Sequence, residues 1–197
     1  MADADLFISV KLEGVDIGGD VVEVDVEDHD QLLDQAQVVI DDRGESTAEL
    51  PREGQRMVVD IGTQEEHAVL FEGVVSEVRV RSEGRGTQRI ELMAYDLGYL
   101  LKRRTPSPTN HVGSLSSIIR AVIEADPAVG IQVGQIEPDP DPEFDARRPL
   151  RQTQQTDWDF LAELAERYRC RSFVEVNEGV SKYYFMPVSR LLAAEPI

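Results

Sequence analysis

The sequence holds one cysteine, Cys170, so no internal disulfide can form and a small secreted scaffold stapled by disulfides is excluded. With no base paired to it in the sequence, Cys170 reads as a buried thiol and not as a nucleophile. Lysine is scarce, present only as Lys11, Lys102 and Lys182, and aromatic residues make up 6%, so branched aliphatics must fill any core. No apolar run approaches the ~18 residues a membrane-spanning helix needs. The acidic start Met1-Ala2-Asp3-Ala4-Asp5 lacks the basic and apolar regions of a signal peptide. The chain is therefore expected to be made in the cytoplasm and to leave it only as part of something larger. Positive charge is also short. A formal net charge of −18 repels phosphates and argues against an outer surface that grips nucleic acid. A high-GC genome or a salt-loving host would produce the same arginine-rich, acidic bias, so the sign of the charge assigns no function by itself.

What is present suits one large domain or two small ones: 197 residues, 41% apolar and 29% charged. Valine pairs at 21–22, 38–39, 58–59 and 74–75 favour strands, because a branched side chain packs well on a pleated surface. Residues 6–12 alternate, with Leu6, Ile8, Val10 and Leu12 on one face. Residues 21–27 set Val22, Val24 and Val26 against Glu23, Asp25 and Glu27. Ala36, Val38 and Ile40 form a third alternation, closed by Asp41-Asp42-Arg43-Gly44. Strands follow at 55–62, 68–81 and 87–95. In the longest, Val74, Val78 and Val80 are expected to face inward and Glu77, Arg79 and Arg81 outward. Gly73 is expected to mark a bulge, and Gly84-Arg85-Gly86 a hairpin tip. Long strands with a bulge and a tight return predict an antiparallel barrel or strongly coiled sheet.

After Asp96 the period changes from two to that of a helix. Leu97, Leu100 and Leu101 give one helical turn, and Pro106-Ser107-Pro108 then interrupts the chain, placing a domain boundary between 1–104 and 105–197. Ser114 is expected to cap a helix carrying Leu115, Ile118, Ile119 and Val122, which Asp126-Pro127 stops. Thr156 is expected to cap a second helix with Phe160, Leu161, Leu164, Ala165 and Tyr168 on its apolar stripe. Glu137-Pro138-Asp139-Pro140-Asp141-Pro142 between them reads as an extended acidic loop without core-forming side chains. Strands at 172–176 and 182–187 pair across Asn177-Glu178-Gly179. The fold class is thus mainly β with α: a β-barrel and then a small α+β domain of two helices and a hairpin.

The residues offer no catalytic constellation. His29, His67 and His111 lie apart without metal-ligand spacing, and Glu27-Asp28-His29-Asp30 reads as a hydrated acidic loop. Asp139 and Asp141 alternate with prolines and lack the spacing of a calcium loop. Gly84 and Gly86 join two strands and make no phosphate cradle. There is no Gly-x-Ser-x-Gly elbow. The reading is a protein without cofactor or metal and not an enzyme. Trp158, off the main stripe at the first turn of its helix, is read as a subunit contact, with core packing as the alternative.

The run from Gln155 to Tyr168, Gln-Thr-Asp-Trp-Asp-Phe-Leu-Ala-Glu-Leu-Ala-Glu-Arg-Tyr, followed by Phe173-Val174-Glu175-Val176, resembles the signature of the phage late control D family. That family comprises tail and baseplate hub proteins and the N-terminal part of VgrG-type spike proteins. Leu70 to Val78, then Ile90 to Asp96 and the Leu-rich turn, resemble its strand–hairpin–strand run. The resemblance spans roughly residues 5–190. The sequence departs from the family where Arg169 stands in place of the glycine after the helix, and where no needle repeats occur. Members continue into a second barrel, so the chain is read as a compact hub or as a piece of a longer one.

The resemblance implies a tail-tube-like barrel and a homotrimer that adapts a six-fold tail tube to a three-fold spike. Its implied partners are tail tube, spike and other baseplate proteins, in a virion tail or injection particle assembled in the host cytoplasm. DNA or protein cargo would pass through its channel without specific binding. Glu23, Asp25, Glu27, Glu77, Arg79 and Arg81 are then expected to line the lumen or a subunit seam. A tail tube or distal tail protein is the alternative within structural proteins, with a tail-associated cell-wall hydrolase beyond it. An acidic carbohydrate-binding module is poorly supported by one Trp.

Overall fold

One-sided alternation builds seven strands in the first half of the chain: β1 (Leu6–Leu12), β2 (Val15–Asp16), β3 (Val21–Glu27), β4 (Gln35–Asp42), β5 (Arg56–Thr63), β6 (His67–Gly84) and β7 (Thr87–Asp96). The computed structural model describes residues 6–29, 32–42, 50–84 and 87–191, so Arg43-Gly44 and the Arg85-Gly86 tip lie outside the described residues. The strands form one antiparallel sheet in the order β2-β1-β5-β6-β7-β4-β3. It is a curled half-barrel, which is the form the expected barrel takes. Val10, Ala36, Val38, Met57, Val59, Phe71, Leu92 and Ala94 make a core on one face, each at most 2% exposed. Ser9, buried on the opposite face of β1, donates to Asp16 Oδ2 at 2.7 Å. That bond and one from the Gly18 N–H hold the Asp16 carboxyl below the usual carboxylate range.

Three expectations for these strands are corrected. Leu6 and Ile8 are exposed, at 68% and 38%, because β2 reaches only Lys11 and Leu12 and leaves the start of β1 flanked on one side. A register shift at Val22 puts Val21 with Val24 and Val26 against the core and leaves Val22 exposed. Gly73 is not a bulge. The bulges fall at Leu70 and Ser76 on either side of it, and the second places Val75, not Val74, in the core cluster beside Val78.

The remaining elements are α1 (Gly98–Arg103), β8 (Thr109–His111), β9 (Gly113–Ser114), α2 (Leu115–Glu124), β10 (Gln132–Ile136), β11 (Glu143–Phe144), β12 (Leu150–Gln152), α3 (Asp157–Tyr168), β13 (Cys170–Asn177), β14 (Val180–Pro187) and α4 (Val188–Leu191). They form a second compact unit from Leu97 onward, joined by Leu32. The sequence reading put the division at Arg104–Thr105. α1 sorts with the second unit because it packs on α3, where Arg104 meets Asp157. β13 and β14 pair antiparallel across a two-residue turn in which Glu178 and Gly179 both take positive φ, 55° and 74°. β10, to which the sequence reading assigned no strand, adds parallel to β14. Tyr183 is fully buried in this sheet, its hydroxyl 2.7 Å from Ser172 Oγ, and burial pushes its phenol up.

α2 and α3 start as expected. Ser114 and Thr156 each accept from the backbone N–H three residues on. Both apolar stripes are buried, apart from Tyr168, which is half-buried. The Pro-rich loop is more than a spacer. Pro138 is buried, Asp141 accepts from the Ser116 backbone N–H and hydroxyl, and the Pro142 carbonyl accepts from the Leu115 N–H. It therefore satisfies donors at the start of α2 that have no partner within the helix. α3 ends on Arg169 in the left-handed conformation, φ 54° and ψ 39°, its N–H bonded to Ala165 and Glu166 carbonyls. A side chain there costs about 1–2 kcal/mol, while glycine loses roughly 0.5–1 kcal/mol more backbone entropy on folding. Because Arg169 is exposed, Arg169→Gly should stabilise the protein by about 1 kcal/mol at most. A higher urea midpoint with unchanged slope would show it.

Candidate functional site

The six charged residues singled out in the sequence share the face of the half-barrel opposite the core. Cross-strand register places Asp25, Gln37, Met93 and Glu77 in one row, and Glu23, Val39, Glu91 and Arg79 in the next. Arg89 and Arg81 follow, opposite each other. β3 and β6 are separated by two strands, β4 and β7. Ion pairs knit the face: Arg79 bonds Glu77 through Nε and Nη2 at 2.7 and 3.0 Å, Arg81 lies 3.3 Å from Glu91, and Arg89 3.8 Å from Glu23. The Glu77 hydrogen bonds push the Arg79 guanidinium further up. Glu27 accepts from Gln35 at 2.6 Å. Exposed pairs of this kind contribute little to stability, so what the face offers is patterned charge with an acidic excess on β3.

Trp158, read as a subunit contact or as core, is buried within the chain, with 6% of its surface accessible. The buried side of α3 is wider than the predicted stripe and takes in Asp157 and Trp158 as well. Trp158 lines an open groove of about 550 Å³ between α3 and the start of β13. Cys170, also on this groove, is 2% exposed, and burial pushes its thiol up.

Sequence reasoning missed a buried polar chain at the head of α3. Asp157, 1% exposed, accepts from Gln152 Nε2 at 2.8 Å through Oδ1 and lies 3.1 Å from Arg104 Nε through Oδ2. Its own N–H donates to the Arg104 carbonyl at 3.1 Å. Gln152 Oε1 is 3.1 Å from His111 Nε2, whose ring stacks on Phe160 at 5.2 Å. The end of α1, β8, β12 and the head of α3 are thereby tied together. His67 lies elsewhere, 2.9 Å from Asp60 and against Phe7, and His29 is 3.6 Å from Glu27. Among the described residues no group of three or more His, Cys, Asp or Glu is placed to hold a metal, and no helix is long and apolar enough to cross a membrane.

No protein-family model and no curated protein matches the sequence. Solved structures do. A tail protein from Neisseria meningitidis MC58 is 16% identical with a TM-score of 0.66, over 91% of this chain and 50% of that one. The 43 kDa tail protein of prophage MuSo2 from Shewanella oneidensis is 16% identical with a TM-score of 0.63, over 91% and 55%. An E. coli component of the type VI secretion system, described as similar to the T4 bacteriophage tail proteins gp27 and gp5, is 14% identical with a TM-score of 0.61, over 89% and 48%. The chain spans about half the length of these proteins. At such identities the likeness is one of fold, and the mainly β fold with a curled antiparallel half-barrel is of the tail-protein kind.

Proposed function

We propose that this chain is a structural subunit at the hub of a phage tail or contractile injection machine, working by assembly and not by catalysis. The observation that carries the reading is the extent of the fold likeness, which takes in 91% of the chain. A tail tube subunit has no need of the α3–hairpin unit that follows the half-barrel, which favours the hub over the tube. Likeness to both prophage tail proteins and a secretion-system component supports a part shared by the two kinds of machine.

In this reading three copies form a ring between a six-fold tube and a three-fold spike, in a particle assembled in the host cytoplasm. The Glu23–Asp25–Glu27 and Glu77–Arg79–Arg81 faces line the channel or a subunit seam. An acidic wall lets DNA slide because like charges repel, and the net charge of −18 supports that role. Light scattering on the purified protein in low and high salt is expected to give the mass of a trimer. A hexamer would move the assignment to a tail tube, and a monomer in both salts would sink the trimer. A cleared band on a cell-wall zymogram would overturn the assembly-only role.

A further inference from the structure

The groove beside α3 has no part in the reading above. Ala162, Ala165 and Trp158 line it. One rim is acidic: Asp159, Glu163 and Glu166 line it. Glu163 is already engaged by Arg167 and Gln155, whereas Asp159 and Glu166 are exposed and form no ion pair among the described residues. The other rim is Cys170 to Ser172, the start of β13, with Arg171 its single cation. β13 is the last strand of its sheet, paired with β14 on one side and with no strand on the other among the described residues. Such an edge presents main-chain donors and acceptors that a further strand can satisfy.

We propose that this groove docks an extended segment of another protein, which adds to the edge of β13 and points cationic side chains at the α3 carboxylates. Strand addition explains why a side-chain groove borders an edge that no other strand flanks among the described residues. The main chain gives affinity, and every second side chain of the added strand turns toward α3. The cationic character follows from the rim, where two unengaged carboxylates are seven residues apart. That is roughly 10 Å along the helix, within reach of arginines two or four positions apart on a strand. The alanines and the indole that line the groove take the stems of those side chains. The inference stands on the second unit alone, so its failure and that of the hub reading are separate.

Trp158 is the one tryptophan in the sequence, so intrinsic fluorescence reads the groove directly. The probe is a blocked Val-Arg-Val-Arg-Val peptide, with Val-Glu-Val-Glu-Val as its control. The arginine peptide should shift the emission saturably and slow amide exchange over residues 170–174, and the glutamate peptide should do neither. Asp159→Asn with Glu166→Gln should weaken binding about tenfold, which corresponds to about 1.4 kcal/mol. Ala162→Leu, at an exposed helical position, should fill the groove and abolish the response while leaving the unfolding midpoint in place. A response that survives in these variants reports only the general field of an acidic chain and overturns the proposal. So does a shift that appears on concentrating the protein without peptide, which assigns the groove to a second copy.

Discussion

Gly73→Ala should destabilise the protein by about 3 kcal/mol or more, the upper end for overpacking a single methyl group. Gly73 pairs with Met57 on one side and Asp96 on the other, in the middle of the half-barrel. A Cβ built there would lie 2.1 Å from the Tyr95 carbonyl oxygen and 2.5 Å from Phe71 Cζ. The ring could turn away only by opening the core, since Phe71 is 2% exposed. The carbonyl belongs to the backbone of β7 and cannot turn away at all. The cost is therefore a displaced strand between the bulges at Leu70 and Ser76. Gly19→Ala is the matched control: a Cβ there meets nothing within 4 Å, and Gly19 needs no positive φ. It should change stability by less than about 0.5 kcal/mol. Urea unfolding followed by far-UV circular dichroism separates the two. Equal midpoints for the glycine variants would mean that β7 yields at no cost, and the packing account would fail.

The same stretch shows how far the sequence could be read. Alternation gave the strands and, in Ala36–Val38–Ile40 and Ile90–Leu92–Ala94, the correct inward faces. It failed where one extra residue enters a strand. A bulge reverses every face beyond it and leaves no compositional trace, as Val22, Leu70 and Ser76 show. Gly73 was the visible anomaly, and its cause, a neighbouring backbone at close range, is a tertiary fact. β10 was missed for a related reason. It is five residues long and contains Gly134, where a Cβ would lie 2.8 Å from the Tyr183 carbonyl. Helix caps were legible because Ser114 and Thr156 act on donors three residues away. The charged face was partly legible. Outward positions follow from alternation, but only the register puts β3 and β6 on one face. The groove needs β13 to end its sheet among the described residues, which no local pattern announces.

Asp157→Ala should cost about 3 kcal/mol, the low end for breaking a buried ion pair by removing one partner. From the sequence Asp157 is an acid in the first turn of a helix, a position that usually offers a few tenths to 1 kcal/mol through the helix dipole. Burial changes its weight. With the carboxylate gone, the Gln152 amide, 2% exposed, loses its acceptor, and the Arg104 guanidinium loses its counter-charge. Arg104 is 31% exposed in its side chain and can recover some water, which keeps the penalty from the top of the range. Gln152 would also be freer to turn, loosening its contact with His111 and hence the seat of that ring on Phe160. Trp158 is the next residue along, so its fluorescence should report the loss during urea unfolding. A double-mutant cycle with Arg104→Ala then isolates the pair. If the carboxylate works through both Arg104 and Gln152, Asp157→Ala remains destabilising in the Arg104→Ala background, and the coupling is about 1–2 kcal/mol. A coupling near zero would leave Gln152 as its one working partner. A destabilisation below about 1 kcal/mol for Asp157→Ala alone would mean that water replaces the carboxylate, and that the buried chain holds the four segments together no more firmly than a surface contact.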